Sequence, residues 1–263
     1  MPDHYKLLKM KIQKKIRFNA PHYSDAHLKR RLATRMRSLR ITTYKEYAEY
    51  LDKDKKEYER LKSALTVNVT EFFRNPETYY AVKNQVLPKI FSMGKKNIRI
   101  WSAGCSDGKE PYSIAILIRE YLKKKNNNFF IRIIATDIDE EMLEKGRKGW
   151  YSDEEMKGEI KKYLNYFEKE NGGYRVKPEI RNLVIFKKHD LLSDKMPSCI
   201  DMIFCRNVAI YFTRETKEKL YLDFYNALNK GGYFVTGKTE MLIGEARQLF
   251  VPVNNSERIY LKL

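Results

Sequence analysis

Two glycines and an aspartate are where this 263-residue chain first offers chemistry. Gly104 and Gly108 lie in the run Ser102-Ala103-Gly104-Cys105-Ser106-Asp107-Gly108-Lys109-Glu110-Pro111, between a short apolar stretch at 98–102 and a longer one at 114–122. The first stretch reads as a strand and the second as a helix, and a turn between them without side chains lets a ligand lie against the backbone. Pro111 suits the first helical position. The spacing is neither the G-x-G-x-x-G of a dinucleotide site nor the Gly-Lys-Ser/Thr of a phosphate loop. Asp137 stands at the tip of the next strand, read at 130–135, where a carboxylate can accept hydrogen bonds from both hydroxyls of a ribose.

Each of these residues also has an ordinary reading. The glycines fit a tight turn, Asp137 and Asp139 fit helix caps, and Glu110 fits a first-turn carboxylate favoured by the helix dipole. Their order favours the ligand reading. Strands at 98–102, 130–135, 183–186, 200–205 and 233–236 alternate with helices at 114–122 and 140–148 and with one capped by Thr213 that carries Leu220, Phe224 and Leu228. Gly231 and Gly232 are read as the stop of that last helix. The alternation predicts a doubly wound α/β domain with a parallel sheet. In such sheets ligands bind beyond the carboxyl ends of the strands, where residues 102–111, 137–139, 190–192 and 206–211 fall. A nucleoside without pyrophosphate fits this set, and S-adenosylmethionine is such a ligand. Between 150 and 188 the alternation is interrupted by a hairpin signal, 166–170, Asn171-Gly172-Gly173 and 174–177, with 183–186 as a neighbouring strand. A small antiparallel insertion is expected there.

The N-terminal third is different. Residues 1–40 hold 12 Lys/Arg and 2 Asp/Glu, whereas residues 41–70 hold 6 of each, in a chain of formal net charge +18. Helical periods run through Tyr5, Leu8, Ile12 and Ile16, through Leu28, Leu32, Met36 and Leu39, through Tyr44, Tyr47 and Leu51, and through Tyr58, Leu61 and Leu65. Thr43 and Glu46 form a capping box for the third helix. On the second, Arg30 and Arg37 fall opposite the apolar stripe with Lys29 and Arg40 on its flank. A basic face of this kind is either a solvated surface or a docking site for phosphate, anionic lipid or acidic protein. The apolar runs are at most five residues, against the roughly 20 of a membrane-spanning helix, so no membrane insertion is expected. The first twenty residues lack a secretory signal's apolar stretch, and a cytoplasmic protein is expected. Three dispersed cysteines and four scattered histidines support neither a disulfide framework nor a metal site.

Four ordered motifs carry a family resemblance: Thr66-Val67-Asn68-Val69-Thr70-Glu71-Phe72-Phe73-Arg74, the turn 103–113, the pair Asp137 and Asp139, and residues 203–212 with Cys205-Arg206-Asn207 and Tyr211-Phe212. Together they resemble the CheR family of chemotaxis receptor methyltransferases over nearly the whole chain. The resemblance implies transfer of a methyl group from S-adenosylmethionine to glutamate side chains of methyl-accepting chemotaxis receptors, leaving S-adenosylhomocysteine. It places cofactor contacts at Asn68, Thr70, Arg74, Glu110, Asp137, Asp190, Leu191, Arg206 and Asn207, beside the backbone approach expected at Gly104, and puts Arg74 and Tyr211 nearest the transferred methyl. It includes an all-helical domain at 1–65, whose basic face at Lys29, Arg30, Arg37 and Arg40 is expected to bind the receptor. A catalytic domain follows at 66–263, with its small β subdomain at about 151–187. The expected partner is the cytoplasmic helical bundle of the receptors, met by a monomer recruited to the inner face of the membrane, with no nucleic acid and no metal.

Departures from the family's usual pattern include Lys109 in the first turn, Asp190 where Asn is common, and Lys238 in Gly237-Lys238-Thr239-Glu240 where His is common. The β insertion is short for a member that docks on a C-terminal receptor pentapeptide, so pentapeptide-independent recognition is expected. Two competing readings remain. A nucleic-acid methyltransferase would match the basic balance, but residues 205–208 hold Cys-Arg-Asn-Val instead of Asn/Asp-Pro-Pro-Tyr, and Cys205 lacks the preceding proline or threonine of a cytosine-attacking nucleophile. A non-catalytic cofactor-sensing module would be expected to lack Arg74 or Tyr211, and both are present.

Overall fold

The computed structural model describes residues 3–16, 18–123 and 129–263. The chain forms two compact units, Met1–Val67 with Tyr211–Lys217, and Asn68–Ile210 with Glu218–Leu263. In the first, four helices follow the apolar periods: α1 (His4–Ile16), α2 (Asp25–Ser38), α3 (Tyr44–Lys53) and α4 (Lys55–Leu65). Leu8, Ile12, Leu28, Leu32, Tyr47, Leu51, Leu61 and Leu65 bury one stripe of each helix in a common core, the main source of stability for helices this short. Pro21 lies in a 3₁₀ turn, Ala20–His22, that separates α1 from α2. Ser24 caps α2 and Thr43 caps α3 with Glu46 answering as its capping-box partner.

One carboxylate enters the helical core. Glu57 is fully buried and accepts Arg35 Nε at 2.9 Å, Arg35 Nη2 at 2.6 Å and the Tyr47 hydroxyl at 2.9 Å. The segment Tyr211–Lys217 belongs to this unit too. Ser24 N–H donates to the Tyr211 carbonyl at 2.9 Å, Thr213 N–H donates to the His22 carbonyl at 2.9 Å, and Tyr23 meets Phe212 edge-on at 5.0 Å.

The second unit is built on a seven-stranded sheet. Its strands are β1 (Asn97–Ala103), β2 (Phe130–Asp137), β6 (Val184–Lys188), β7 (Ile200–Cys205), β8 (Leu228–Thr236), β9 (Phe250–Asn254) and β10 (Ile259–Lys262), in the order β6-β2-β1-β7-β8-β10-β9. The first five are mutually parallel, and β10 runs antiparallel to both its neighbours. Strand order reverses between β1 and β7, which makes that crevice the switch point of the doubly wound sheet. α7 (Lys109–Leu122) follows β1, α8 (Glu140–Lys148) follows β2 and α10 (Arg214–Ala227) precedes β8. Ahead of the sheet, α5 (Pro76–Ala81) runs through a π turn, Val82–Val86, into α6 (Leu87–Ser92) and buries Tyr79, Val82, Val86 and Leu87.

Four expectations change. The 183–186 segment does not join the insertion: β6 pairs in parallel with β2, with Ile133 opposite Val184, and so covers the sheet edge. The small sheet, order β3-β5-β4, takes its third strand from β3 (Trp150–Ser152), beside β4 (Phe167–Glu170) and β5 (Gly173–Val176). Gly231 and Gly232 do not stop a helix. α10 ends at Ala227 and both glycines lie within β8, where Leu228 pairs with Ile200. Pro111 is the third residue of α7, which starts at Lys109, and an N–H is dispensable throughout a first turn.

Candidate active site

The turn after β1 and the tip of β2 are locked together. Gly104 and Cys105 donate their N–H groups to the Thr136 carbonyl at 2.8 and 2.9 Å, and Asp137 Oδ2 accepts Ser106 N–H at 2.7 Å. Asp137 Oδ1 accepts Asp139 N–H at 3.0 Å. Asp139 in turn caps α8 through Glu141 N–H at 3.1 Å and accepts Asn68 Nδ2 at 2.8 Å. Burial raises the Asp137 pKa above the usual carboxylate range, opposed by the N–H donors of Asp139 and Ser106. Each of its oxygens keeps a further lone pair for a ribose hydroxyl.

The glycines serve packing first. A Cβ on Gly104 would lie 2.5 Å from Val208 Cγ2, and one on Gly108 would lie 2.9 Å from the Phe186 ring and 3.0 Å from the Gly146 backbone. Both have left-handed backbones, φ 79° and 92°. A side chain at either position would collide with these neighbours. Gly104 lets the turn after β1 close against the one after β7 across the switch point.

A charged cluster lies beside these turns. Glu110, the second residue of α7, accepts the Ser102 hydroxyl at 2.7 Å. Burial lifts its pKa, with Arg206 and Arg74 pulling the other way. Arg206 is buried, donates from Nη2 to Asn75 Oδ1 at 3.0 Å and lies 5.5 Å from the centre of the Tyr79 ring. Its Nε and the Asn207 Oδ1 are buried without a partner in this structure, one donor and one acceptor kept for something else. Arg74, half-buried, donates to the Val69 carbonyl at 3.3 Å. Phe73, Asn75, Ser106 and Asn207 all have left-handed backbones, φ 52°, 57°, 48° and 61°. Non-glycine residues persist in that region where surrounding structure over-determines them, commonly at functional sites.

The remaining candidates are more dispersed. Thr70 is half-buried in the segment before Phe72. Asp190 and Leu191 are half-buried in the turn after β6, where Asp190 Oδ1 accepts Leu192 N–H at 2.9 Å. His189 N–H donates to the Asp137 carbonyl at 2.9 Å, which ties that turn to β2. Tyr211 falls in the helical unit, its ring 4.5 Å from that of His27, whereas Arg74 falls in the other unit. Lys29, Arg30 and Arg37 are exposed on α2, with Lys29 Nζ 4.9 Å from the centre of the Tyr5 ring. Arg40 is not on the helix: α2 ends at Ser38, and Arg40 turns away with φ 58°.

The departures find partners. Lys109 is buried, pairs with Asp107 and with Glu155 at 2.8 Å, and Lys145 reaches the same two carboxylates at 3.1 and 2.6 Å. Burial opposes ionisation of Glu155, but Lys109 and Lys145 prevail and bring its pKa to about 2. Lys238 pairs with Glu257 at 3.2 Å and Glu77 at 3.4 Å. The sequence reading gave no role to Glu240, which the structure places at the centre of the loops after β7 and β8. Its signal in the sequence is its place in Gly237-Lys238-Thr239-Glu240, an acid three residues beyond a glycine at the end of a strand.

A doubly wound sheet with an inserted antiparallel strand, a carboxylate at the β2 tip and unpaired polar atoms past the switch point define a nucleoside-binding domain of the methyltransferase kind. The CheR methyltransferase all-alpha domain profile matches residues 3–66 and the CheR methyltransferase SAM binding domain profile matches residues 68–259. The chain belongs to the CheR family and is an S-adenosylmethionine-dependent methyltransferase of chemotaxis. It is 32% identical to a chemotaxis protein methyltransferase of Listeria monocytogenes over 89% of this chain and 88% of that one. It is 34% identical to one from Borreliella burgdorferi, over 81% and 79%, and 37% identical to one from Pseudomonas aeruginosa, over 70% of each. No described helix is long and apolar enough to cross a membrane.

Proposed function

We propose that this enzyme methylates glutamate side chains of chemotaxis receptors, forming γ-glutamyl methyl esters, and that it does so without a receptor pentapeptide. The observation that carries the reading is the row of exposed arginines on α2. Among the described residues, neither Arg30 nor Arg37 has a carboxylate in ion-pair range, although the unit holds several such pairs elsewhere. Such a surface favours an acidic partner, here the receptor's helical bundle. Residues 1–65 act as the docking domain and 66–263 as the catalytic domain, with the three short strands of the β subdomain, within 150–176, too small a platform for peptide capture. The enzyme works as a monomer in the cytoplasm, recruited to receptors at the inner face of the membrane.

S-adenosylmethionine, when bound, supplies a methyl on a positively charged sulfur. A glutamate carboxylate is ionised at neutral pH, given a reference pKa of about 4.3, so no general base has to remove a proton. The chain's task is orientation and exclusion of water. Asp137 takes the ribose hydroxyls and Asp190, with Leu191, takes the adenine. The unpaired Arg206 Nε and Asn207 Oδ1, with Glu110, suit the carboxylate and ammonium ends of the amino-acid part. Asn68, Thr70 and the Gly104 turn close the site. Arg74 orients the incoming carboxylate through its planar fork and Tyr211 through its hydroxyl.

The recognition claim is tested by comparing initial methylation rates on receptor membranes before and after removal of the receptor's last five residues. Equal rates are expected. Loss of methylation on truncation would overturn pentapeptide independence.

A further inference from the structure

We propose that Glu240 is a positioning residue for the methyl-donor site: its carboxylate fixes the loop after β7 so that Arg206 and Asn207 are presented to the cofactor. β7 and β8 are adjacent parallel strands, Cys205 opposite Thr236. Past those residues the ladder stops, and the N–H groups of both loops need other acceptors. One side chain supplies them. Glu240 Oε2 accepts Asn207 N–H at 2.7 Å and Gly237 N–H at 2.7 Å, and Oε1 accepts Ile210 N–H at 3.1 Å.

The surroundings are shaped for that carboxylate. Glu240 is 3% exposed, and among the described residues no lysine, arginine or histidine lies within ion-pair distance, so backbone donors carry its charge. A Cβ on Gly237 would come within 2.6 Å of Oε2, so the glycine makes the space it occupies. Glu240 is itself anchored, its N–H donating to the Gly237 carbonyl at 2.8 Å and its carbonyl accepting the Thr236 hydroxyl at 3.1 Å. Asn207 is held in a left-handed backbone by a bond to its own N–H. With that bond in place, Asn207 Oδ1 and the adjacent Arg206 Nε stay buried and unpaired in this structure. A side chain serving only to fill a hole would not gather donors from two loops onto both of its oxygens.

This inference rests on the reading that Arg206 and Asn207 contact the cofactor, and titration calorimetry with S-adenosylhomocysteine separates the two claims. Binding stoichiometry reports the folded fraction, and Kd reports the quality of the site. Glu240→Gln places an NH₂ group against at least one backbone N–H. It should bind with unchanged stoichiometry and a Kd raised about 10-fold, the scale of a hydrogen bond to a charged group. Lowered stoichiometry with a wild-type Kd would assign Glu240 a purely structural role and overturn the proposal. Glu240→Asp, charged but one methylene short, should raise Kd as well, and an unchanged Kd there counts equally against it. Should neither variant fold, amide exchange in the wild-type chain decides: cofactor product should slow exchange at Asn207, Ile210 and Gly237, and unaltered exchange there overturns the proposal. Arg206→Gln is the control, because an unchanged Kd in that variant refutes the site reading instead of the role of Glu240.

Discussion

Asp137 Oδ2 accepts the Ser106 N–H at 2.7 Å, and this bond ties the β2 tip to the turn after β1. The same carboxylate holds Asp139 N–H through its other oxygen, and Asp139 holds Asn68. The proposed ribose ligand is thus also the residue that sets the spacing of three chain segments.

Asp137→Asn replaces one of those acceptor oxygens with a donor, so either the Ser106 or the Asp139 bond is lost along with the charge. We expect the Kd for S-adenosylhomocysteine to rise about 10- to 100-fold, from the loss of one charge-assisted hydrogen bond, with far-ultraviolet ellipticity unchanged. Calorimetry at matched folded fraction checks it, and a wild-type Kd removes Asp137 from the site.

Glu110 gives a pH signature. Its pKa is raised by burial, so the folded chain holds that proton more tightly than the unfolded chain does. Its ionisation therefore costs stability as pH rises from the ordinary carboxylate value through the raised one. Glu110→Gln escapes this cost. Its unfolding free energy relative to wild type should increase between about pH 4 and the raised pKa and then level off, as measured by urea unfolding at several pH values. A flat difference would mean the carboxyl titrates normally.

Local signals were legible and non-local ones were not. α8, expected at 140–148, forms at Glu140–Lys148, where Asp139 caps it and Gly149 ends it with φ 61°, both within the local sequence. β7 was read from its apolar run. The Val208 side chain that occupies the space over Gly104, the Lys109 that pairs with Glu155, and the Asn207 and Ile210 N–H groups on Glu240 come from segments far apart in sequence. The hairpin of β9 and β10 gave no expectation, and Pro252 within β9 suppresses a strand reading that an edge position tolerates. For the site, strand-end residues could be named from order and type, whereas Glu240 needed the meeting of two loops.

Glu57 tests the helical unit. Glu57→Ala removes the partner of Arg35 and leaves the Tyr47 hydroxyl buried and unsatisfied. Because Arg35 is partly exposed and can return to water, we expect a loss of about 2–3 kcal/mol rather than the larger cost of a fully buried pair. Tyr47→Phe should lose about 1 kcal/mol, because Glu57 keeps its arginine. Urea unfolding of the full chain measures both, and near-zero effects would mean the buried carboxylate is not held as described.

Arg30→Glu combined with Arg37→Glu should slow receptor methylation about 10-fold at low ionic strength, with a smaller effect as salt rises, because charge on a docking face governs encounter. Affinity for S-adenosylhomocysteine should be unchanged, since neither residue is a proposed cofactor contact. Unchanged methylation in the double variant would remove α2 from receptor recognition.

In the proposed reaction a carboxylate takes the methyl. Incubation of the enzyme with receptor-containing membranes and methyl-labelled S-adenosylmethionine, followed by alkali, tests it directly. A γ-glutamyl methyl ester releases its label as volatile methanol, and nearly all protein-bound label should leave in this form. Label that stays on protein or nucleic acid after alkali, or no transfer at all, would contradict it.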